Sequence, residues 1–283
     1  MRRKFGGHLS IADGYEALIN RALRDEMEAF QIFTANPRSM VSQKVIDEDS
    51  ATLFKNLLTK HSLGPVVVHS NYLLNLASSD DEKYGLSIES LMGELVRADA
   101  LGASFLVLHP GHAHKLSMDD ACKRIAHGLD CAIAEVNPKV TICLENMAGM
   151  GSEVGSKYHE LSQIIGNSKY ANNIGVCFDT CHAYSAGYNL STIDGLDSMF
   201  SEIEDTIGAS SIKVVHINDS IWKLGLKKDR HTNIGKGNIG IEAFKRIINR
   251  KEILDCPFIL ETPDKEDNAR MQDIQLLRSL VEE

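Results

Sequence analysis

The sequence has no long hydrophobic run. No window approaches the roughly 18 apolar residues of a membrane span, and no apolar segment follows the basic residues 1–8. We therefore expect a cytoplasmic protein with no membrane partner. Hydrophobic residues still make up 43% of the 283-residue chain. That share is ample for a packed core and excludes a disordered chain.

Positive charge is also scarce. The chain has 30 Lys and Arg against 39 Asp and Glu, which gives a formal net charge of -9. This balance argues against a protein that coats nucleic acid through bulk positive charge. It leaves open a cleft whose local charge is positive.

Paired cysteine motifs and linkers are absent as well. None of the six cysteines forms a CxxC pair, so we expect free, mostly buried thiols rather than disulfides. Only six prolines are present, and no Pro/Gly/Ser-rich linker or low-complexity tract divides the chain. We expect one domain over residues 1–283.

Short apolar runs alternate with amphipathic segments along the whole sequence. Short apolar, β-branched runs recur at 4–7, 29–33, 65–68, 104–108, 140–144, 174–178, 213–217 and 257–260. Amphipathic segments lie at 14–24, 50–61, 86–101, 118–135, 158–165, 196–207, 241–250 and 264–281. The continuous apolar runs favour parallel strands, and the alternation predicts an α/β fold, a closed (β/α)8 TIM barrel. An open doubly wound sheet is the alternative, but the first strand lacks its glycine-rich turn.

Most of these runs end in a residue capable of chemistry. The set at the strand ends is His8, His69, His109, Glu145, Asp179, His216 and Glu261. Three further candidates follow the sixth and seventh strands, namely His182, Asp229 and His231. Barrel enzymes carry their sites at the C-terminal strand ends, where these side chains would converge. A single histidine or carboxylate there often has a structural role, such as capping a helix, but a whole set predicts a metal site.

The number of candidates bears on the number of ions. Imidazoles and carboxylates together suit Zn²⁺, Mn²⁺ or Fe²⁺. A catalytic zinc usually takes about three protein ligands, so nine candidates suit two or three ions. Glu145 or Glu261 is the expected bridging carboxylate.

Three stretches carry a more specific pattern. They read HSNYLLNLA at 69–77, GVCFDTCHA at 175–183, and HINDS at 216–220 followed by DRH at 229–231 and GKGNIG at 235–240. With these stretches in order, the whole chain closely resembles endonuclease IV, the family of metal-dependent endonucleases that act at abasic sites in DNA. The resemblance implies a barrel with three Zn²⁺ ions at the C-terminal strand ends, with Mn²⁺ as a substitute at one site. It also implies a base excision repair hydrolase that uses a metal-activated hydroxide.

The resemblance assigns the candidate ligands to three ions. His69, His109 and Glu145 would hold the first, and Glu145, Asp179, His216 and Glu261 the second. His182, Asp229 and His231 would hold the third. Glu145 and Glu261 are the expected catalytic residues, and His8 is expected to support the ligands rather than to be one. The roles of His112 and His114 stay open.

The implied partner is double-stranded DNA with abasic sites or blocked 3′ ends, bound by a monomer. Cleavage 5′ to the abasic site would leave a 3′-hydroxyl and a 5′-deoxyribose phosphate. Tyr72 and Leu73 could insert into the base stack, and Arg38 matches the family position that fills the gap left by the extruded nucleotide. Lys228 and Arg230 belong to a basic group beside two candidate ligands and could contact phosphates.

Two other functions remain as alternatives. Sugar isomerases and epimerases of the same barrel type place Glu, Asp and His around one or two metals, without a counterpart of residues 229–231. A non-catalytic binder of damaged DNA would be expected to have lost several ligands, whereas all nine positions keep a suitable residue.

Overall fold

The computed structural model describes residues 3–40, 45–264 and 268–282. In these ranges the strands, in chain order, are β1 (Lys4–Leu9), β2 (Ala29–Ile32), β3 (Val66–His69), β4 (Phe105–Leu108), β5 (Thr141–Glu145), β6 (Ile174–Asp179), β7 (Ile212–His216), β8 (Asp219–Ser220), β9 (His231–Thr232) and β10 (Pro257–Leu260). Eight of them are parallel and close into a barrel in the order β1-β10-β7-β6-β5-β4-β3-β2. The predicted (β/α)8 barrel is confirmed, and its eight strands fall where the apolar runs predict them.

Helices cover the outside of the barrel. They are α1 (Tyr15–Arg24), α2 (Glu48–His61), α3 (Asp81–Leu101), α4 (Met118–Val136), α5 (Tyr158–Asn167), α6 (Thr180–Ala186), α7 (Ile193–Thr206), α8 (Ile241–Ile248) and α9 (Ala269–Ser279). Three short 3₁₀ turns lie at Ala171–Asn173, Ala209–Ser211 and Lys251–Ile253. In the described part of the chain, none of these helices combines the length and apolarity needed to cross a bilayer. The cytoplasmic location stays a prediction.

Several helix boundaries differ from the sequence prediction, and the starts of α3 and α9 differ most, by five residues each. Helix α3 begins at Asp81 rather than at 86, because the Asp80 side chain accepts hydrogen bonds from the backbone N–H groups of Glu82 and Lys83. The last helix, predicted over 264–281, is observed at Ala269–Ser279, and residues 265–267 lie outside the described part.

Helix α6, β8 and β9 have no counterpart in the sequence prediction. Helix α6 follows directly on β6, and β8 pairs with β9 as a two-stranded antiparallel hairpin. All three are too short to produce a hydrophobic period. They carry His182 and His231, so they matter for the site.

The strands bury side chains on both faces. A small cluster with one member from each of seven strands fills the barrel, namely Ala29, Val67, Val107, Cys143, Cys177, Val214 and Ile259. Larger residues such as Phe30, Phe178 and Phe258 belong to the main core between barrel and helices. This double burial explains why the strands read as unbroken apolar runs. All six cysteines are free, as predicted; five are buried, and Cys131 is partly exposed.

Candidate metal centre

Six of the nine candidate ligands lie at the C-terminal ends of the barrel strands, on the inward side and just beyond the apolar interior. Side chains on one side of a strand are two residues apart. Two residues on from the interior cluster stand Gln31, His69, His109, Glu145, Asp179, His216 and Glu261. On β1 the same step leads from Gly6 to His8, which pairs with Gln31 in the strand register. Strand periodicity therefore collects a ring of polar side chains at the C-terminal end of the barrel.

Glu145 is fully buried at the middle of this ring. Its Oε2 lies 3.4 Å from Nε2 of His69 and 3.3 Å from Nε2 of His109. Its Oε1 lies 3.1 Å from Nδ1 of both His182 and His216. The two oxygens thus face two different pairs of imidazoles, which suits a carboxylate that bridges two ions.

Asp179 and Glu261 lie beside His216. Nδ1 of His216 is 3.9 Å from Oδ2 of Asp179 and 3.3 Å from Oε2 of Glu261. Asn218 holds both acidic residues in place. Its Nδ2 donates to Oδ2 of Asp179 at 2.7 Å, and its Oδ1 accepts from the backbone N–H of Glu261 at 2.8 Å.

His182, Asp229 and His231 form a third group outside the barrel strands. Oδ1 of Asp179 caps α6 by accepting the backbone N–H of His182 at 2.6 Å. Nε2 of His182 lies 3.3 Å from Oδ2 of Asp229, and Nε2 of His231 lies 3.2 Å from Oδ1. Each oxygen of Asp229 therefore faces one imidazole.

A buried carboxylate stabilises the hairpin that carries His231. Asp219 accepts hydrogen bonds from the backbone N–H groups of Ser220, Gly235, Gly237 and Ile239. A Cβ at Gly237 would lie 2.3 Å from Oδ1 of Asp219, so only glycine fits there. The loop of residues 235–240 is thereby bound to β8, and β8 pairs His231 with Ser220.

Among the residues that the structure describes, five groups of potential ligand atoms have every pair within 4.8 Å, and two of the five include Cys177 or Cys181. The other three groups are His69, His109 and Glu145; Glu145, Asp179, His216 and Glu261; and His182, Asp229 and His231. The structure thus brings together all nine candidates in the three sets that the resemblance implies. Their role as ligands stays a prediction.

The donor set fits divalent metal. Among the described residues, three buried atoms of the site have no hydrogen-bond partner: Oε2 of Glu145, Nε2 of His182 and Nε2 of His231. Such orphaned atoms are costly unless something binds them. Cys177 and Cys181 lie near the same groups. Burial raises the pKa of both thiols, that of Cys181 to about 12, which disfavours the thiolate that metal binding needs.

The electrostatics of the metal-free site also call for cations. Burial disfavours protonated His216 and His231, but the surrounding carboxylates outweigh it and raise the pKa of each to about 9. Burial likewise opposes ionisation of Glu145 and Glu261. Neighbouring imidazoles, His216 first, outweigh it and lower the pKa of Glu145 well below its usual range and that of Glu261 to about 2. Protons on the imidazoles therefore balance the carboxylates when no metal is bound.

The site opens into a cavity of about 540 Å³. Six of the nine candidate ligands line it, together with Tyr72 and Arg230. Tyr72 is 55% exposed and Leu73 is 51% exposed, so neither is a core residue. Arg38 is exposed on the neighbouring loop, which is joined to the Tyr72 loop by the bond from Tyr72 N–H to the carbonyl of Pro37, at 3.0 Å. Nζ of Lys228 lies over the ring of Trp222, 4.2 Å from the ring centroid, and Lys228 does not line the cavity.

Sequence reasoning missed one polar member of the ring. Gln31 is completely buried in β2 and contacts two candidate ligands and His8. The sequence signal was a polar residue at a strand end, and Gln31 stands between Phe30 and Ile32 inside a strand. The two-residue step from the interior cluster is the signal that would have found it. His112 and His114 are exposed and stack on each other outside the three groups.

Comparisons with known proteins agree on one family. The family described as xylose isomerase-like TIM barrel matches residues 19–280. The chain is 38% identical to a protein named probable endonuclease 4 from Halothermothrix orenii, over 98% of this chain and 99% of that protein. A protein of the same name from Methanoculleus marisnigri is also 38% identical, over 98% of both chains.

Solved structures place the same fold on two kinds of enzyme. The crystal structure of endonuclease IV from Thermus thermophilus superposes with a TM-score of 0.87 at 31% identity, covering 98% of each chain. A D-tagatose 3-epimerase-like protein superposes with a TM-score of 0.74 at 21% identity, covering 98% of this chain and 96% of the other. At that identity the second likeness shows the fold alone.

Divalent metal should stabilise the metal-free protein. An ion that binds only the folded state adds about 2.7 kcal/mol at a hundred times its dissociation constant, or about 5 to 10 °C for a chain of this size. We expect Zn²⁺ to raise the unfolding temperature of chelator-treated protein by about that much, as measured by calorimetry. Glu145→Gln should lose most of the gain, and the exposed control His112→Ala should keep it. An unchanged unfolding temperature in the wild-type protein would contradict a metal site.

Proposed function

Since the chain belongs to the endonuclease IV family, we propose that it is a metal-dependent DNA-repair hydrolase. It cleaves the phosphodiester bond 5′ to an abasic site and leaves a 3′-hydroxyl and a 5′-deoxyribose phosphate. Duplex DNA with abasic sites or blocked 3′ ends is the proposed substrate, and three Zn²⁺ ions are the proposed cofactor, with Mn²⁺ able to replace one. All nine candidate ligands come from one chain, which supports action as a monomer.

One observation carries this proposal. Three groups of His, Asp and Glu share one cavity, and Glu145 belongs to two of them. The third group, His182, Asp229 and His231, supplies ligands beyond what the two-ion alternative requires. That surplus favours phosphodiester hydrolysis, in which charge develops on several oxygens of the scissile phosphate, over sugar isomerisation.

The protein side chains have separate tasks in this reaction. When bound, the divalent ions lower the pKa of water and stabilise negative charge on phosphate oxygens. Glu145 links the first two groups through its two oxygens. Glu261 has one oxygen fixed by Gln31 at 2.7 Å, and its other oxygen faces the cluster, so it is the group that orients the attacking water.

The rim of the cavity offers a way to read the lesion. Tyr72 and Leu73 are half exposed directly after β3, and the Tyr72 ring lies 5.7 Å from that of His69. Inserting them into the base stack at an abasic site is less costly than elsewhere, since a base is already missing. Arg38 reaches from the adjoining loop, and Arg230 and Lys228 contact the flanking phosphates.

The charge of the site makes DNA binding depend on metal. The four carboxylates among the candidate ligands are Glu145, Asp179, Asp229 and Glu261. Protonated imidazoles only offset these charges in the metal-free site, whereas three divalent ions would give the ligand set a net positive charge that attracts a phosphate. The net charge of -9 is therefore compatible with a nucleic-acid substrate.

Cleavage of a defined lesion tests the function. We expect zinc-loaded protein to cut a duplex with one tetrahydrofuran abasic analogue on the 5′ side of the lesion, as seen by gel electrophoresis of end-labelled strands. Prolonged chelation should abolish the reaction. Glu261→Gln should lower kcat by at least about 100-fold, since general acid–base and orienting groups contribute about 10²- to 10⁴-fold.

The exposed variant Glu89→Gln in α3 is the matched control and should cleave like the wild type. No cleavage by fully loaded wild-type protein would overturn the nuclease proposal. Conversion of a ketose to its epimer by the same preparation would then favour the sugar-isomerase alternative.

The lesion-reading role of the rim has its own test. Tyr72→Ala and Leu73→Ala should raise KM for the abasic duplex by about tenfold each, because an apolar contact of this size contributes about 1 to 3 kcal/mol. Their unfolding temperatures should stay close to that of the wild type, since both side chains are half exposed. Leu53→Ala, at an exposed site on α2, is the control. Steady-state rates equal to those of the control would count against insertion at the lesion.

A further inference from the structure

Gln31 is a polar side chain in an otherwise apolar strand. It lies in the middle of β2, where all four residues are buried, and its own exposure is 0%. An amide in such a place is costly unless its hydrogen-bonding groups are satisfied. Here every one of them has a partner, and the partners belong to the metal centre.

The amide of Gln31 makes three contacts. Its Nε2 lies 2.7 Å from Oε1 of Glu261 and 3.0 Å from Nδ1 of His8. Its Oε1 lies 2.8 Å from Nε2 of His216. The two amide hydrogens and the carbonyl oxygen are thus all in use.

The chemistry of the partners fixes the direction of each bond. A carboxylate can only accept, so the NH₂ group must face Glu261 and the carbonyl must face His216. Nε2 of His216 must then carry a hydrogen and donate it. A metal-bound histidine keeps a hydrogen on one ring nitrogen only, so the nitrogen left to bind an ion is Nδ1.

That remaining nitrogen points at the cluster. Nδ1 of His216 faces Oε1 of Glu145 at 3.1 Å and Oε2 of Glu261 at 3.3 Å. Because the amide of Gln31 binds Oε1 of Glu261, Oε2 of Glu261 is directed toward Nδ1 of His216. One side chain therefore sets the tautomer of one candidate ligand and the orientation of another. His8 accepts the second amide hydrogen, and its ring packs 4.4 Å from that of Phe33.

We propose that Gln31 is a positioning residue of the group formed by Glu145, Asp179, His216 and Glu261, with His8 holding the amide in its working orientation. Glutamine is suited to this role because it donates and accepts at the same end of one side chain. The inference rests on the metal-dependent function proposed above. Loss of the Gln31 amide should weaken metal binding by this group without removing a ligand.

Metal retention provides the first test. Gln31→Met keeps the size and length of the side chain and removes all three hydrogen bonds. We expect the folded variant to lose one zinc per chain at a chelator concentration about 10- to 100-fold lower than the wild type, as measured by elemental analysis after dialysis. Gln163→Met, at an exposed position on α5, is the control and should behave like the wild type.

A second readout follows the tautomer directly. In zinc-loaded protein labelled with ¹⁵N-histidine, the Nε2–H of His216 should be protected from exchange with solvent, and in Gln31→Met it should exchange at least tenfold faster. If Gln31→Met does not fold, Gln31→Glu takes its place. It keeps the acceptor for His216 but sets a carboxylate against Glu261, and it should lose the same zinc.

The outcome is independent of DNA cleavage. Wild-type chelator resistance together with unchanged exchange in a folded Gln31 variant would overturn the positioning role. If the wild type fails to cut abasic DNA while Gln31→Met loses zinc as expected, the proposed function is wrong and the role of Gln31 stands. A positioning residue should also lower kcat and leave KM for the abasic duplex unchanged.

Discussion

Burying several carboxylates in one place requires positive charge, and this requirement governs the catalytic end of the barrel. Glu145 and Asp179 are completely buried, and the Glu261 side chain is 16% exposed. Five histidines surround the acidic groups. The carboxylates raise the pKa of four of them, His69, His182, His216 and His231, against the opposing effect of burial. Within the described ranges, Oε2 of Glu145 and Nε2 of His182 and His231 make no well-oriented hydrogen bond, although each lies within 3.4 Å of another side chain of the site. Divalent ions would compensate the buried negative charge and would also bind the atoms that make no hydrogen bond.

The barrel makes this concentration of charge possible by rigid placement. Each strand turns an apolar residue into the interior and, two residues later, a polar one into the site, so the spacing of ligands is fixed by strand geometry. The third group is built differently. It depends on the cap that Asp179 provides for α6 and on the hairpin stabilised by Asp219. The first two groups are therefore set by the barrel strands, and the third by the short elements added to its rim.

The sequence predicts the barrel and the strand-end residues well, because apolar runs buried on both faces are easy to recognise and most of them end at a His, Asp or Glu. It does not predict α6 or the β8–β9 hairpin, since seven and two residues are too few for a periodic signal. Their candidate ligands, His182, Asp229 and His231, are recognised by their position after the sixth and seventh strands, and the resemblance assigns them to a third ion. The role of Gln31 was not predicted because it depends on contacts with Glu261 and His216, which are 230 and 185 residues away along the chain.

The central claim is that these side chains bind three ions in three groups, of which two share Glu145. Anomalous X-ray diffraction from crystals of the zinc-loaded protein, recorded on both sides of the zinc absorption edge, tests it most directly. We predict three peaks: one beside His69 and His109, one beside His216 and Glu261, and one beside His182 and His231. A single peak, or no zinc beside Glu145, would contradict the claim.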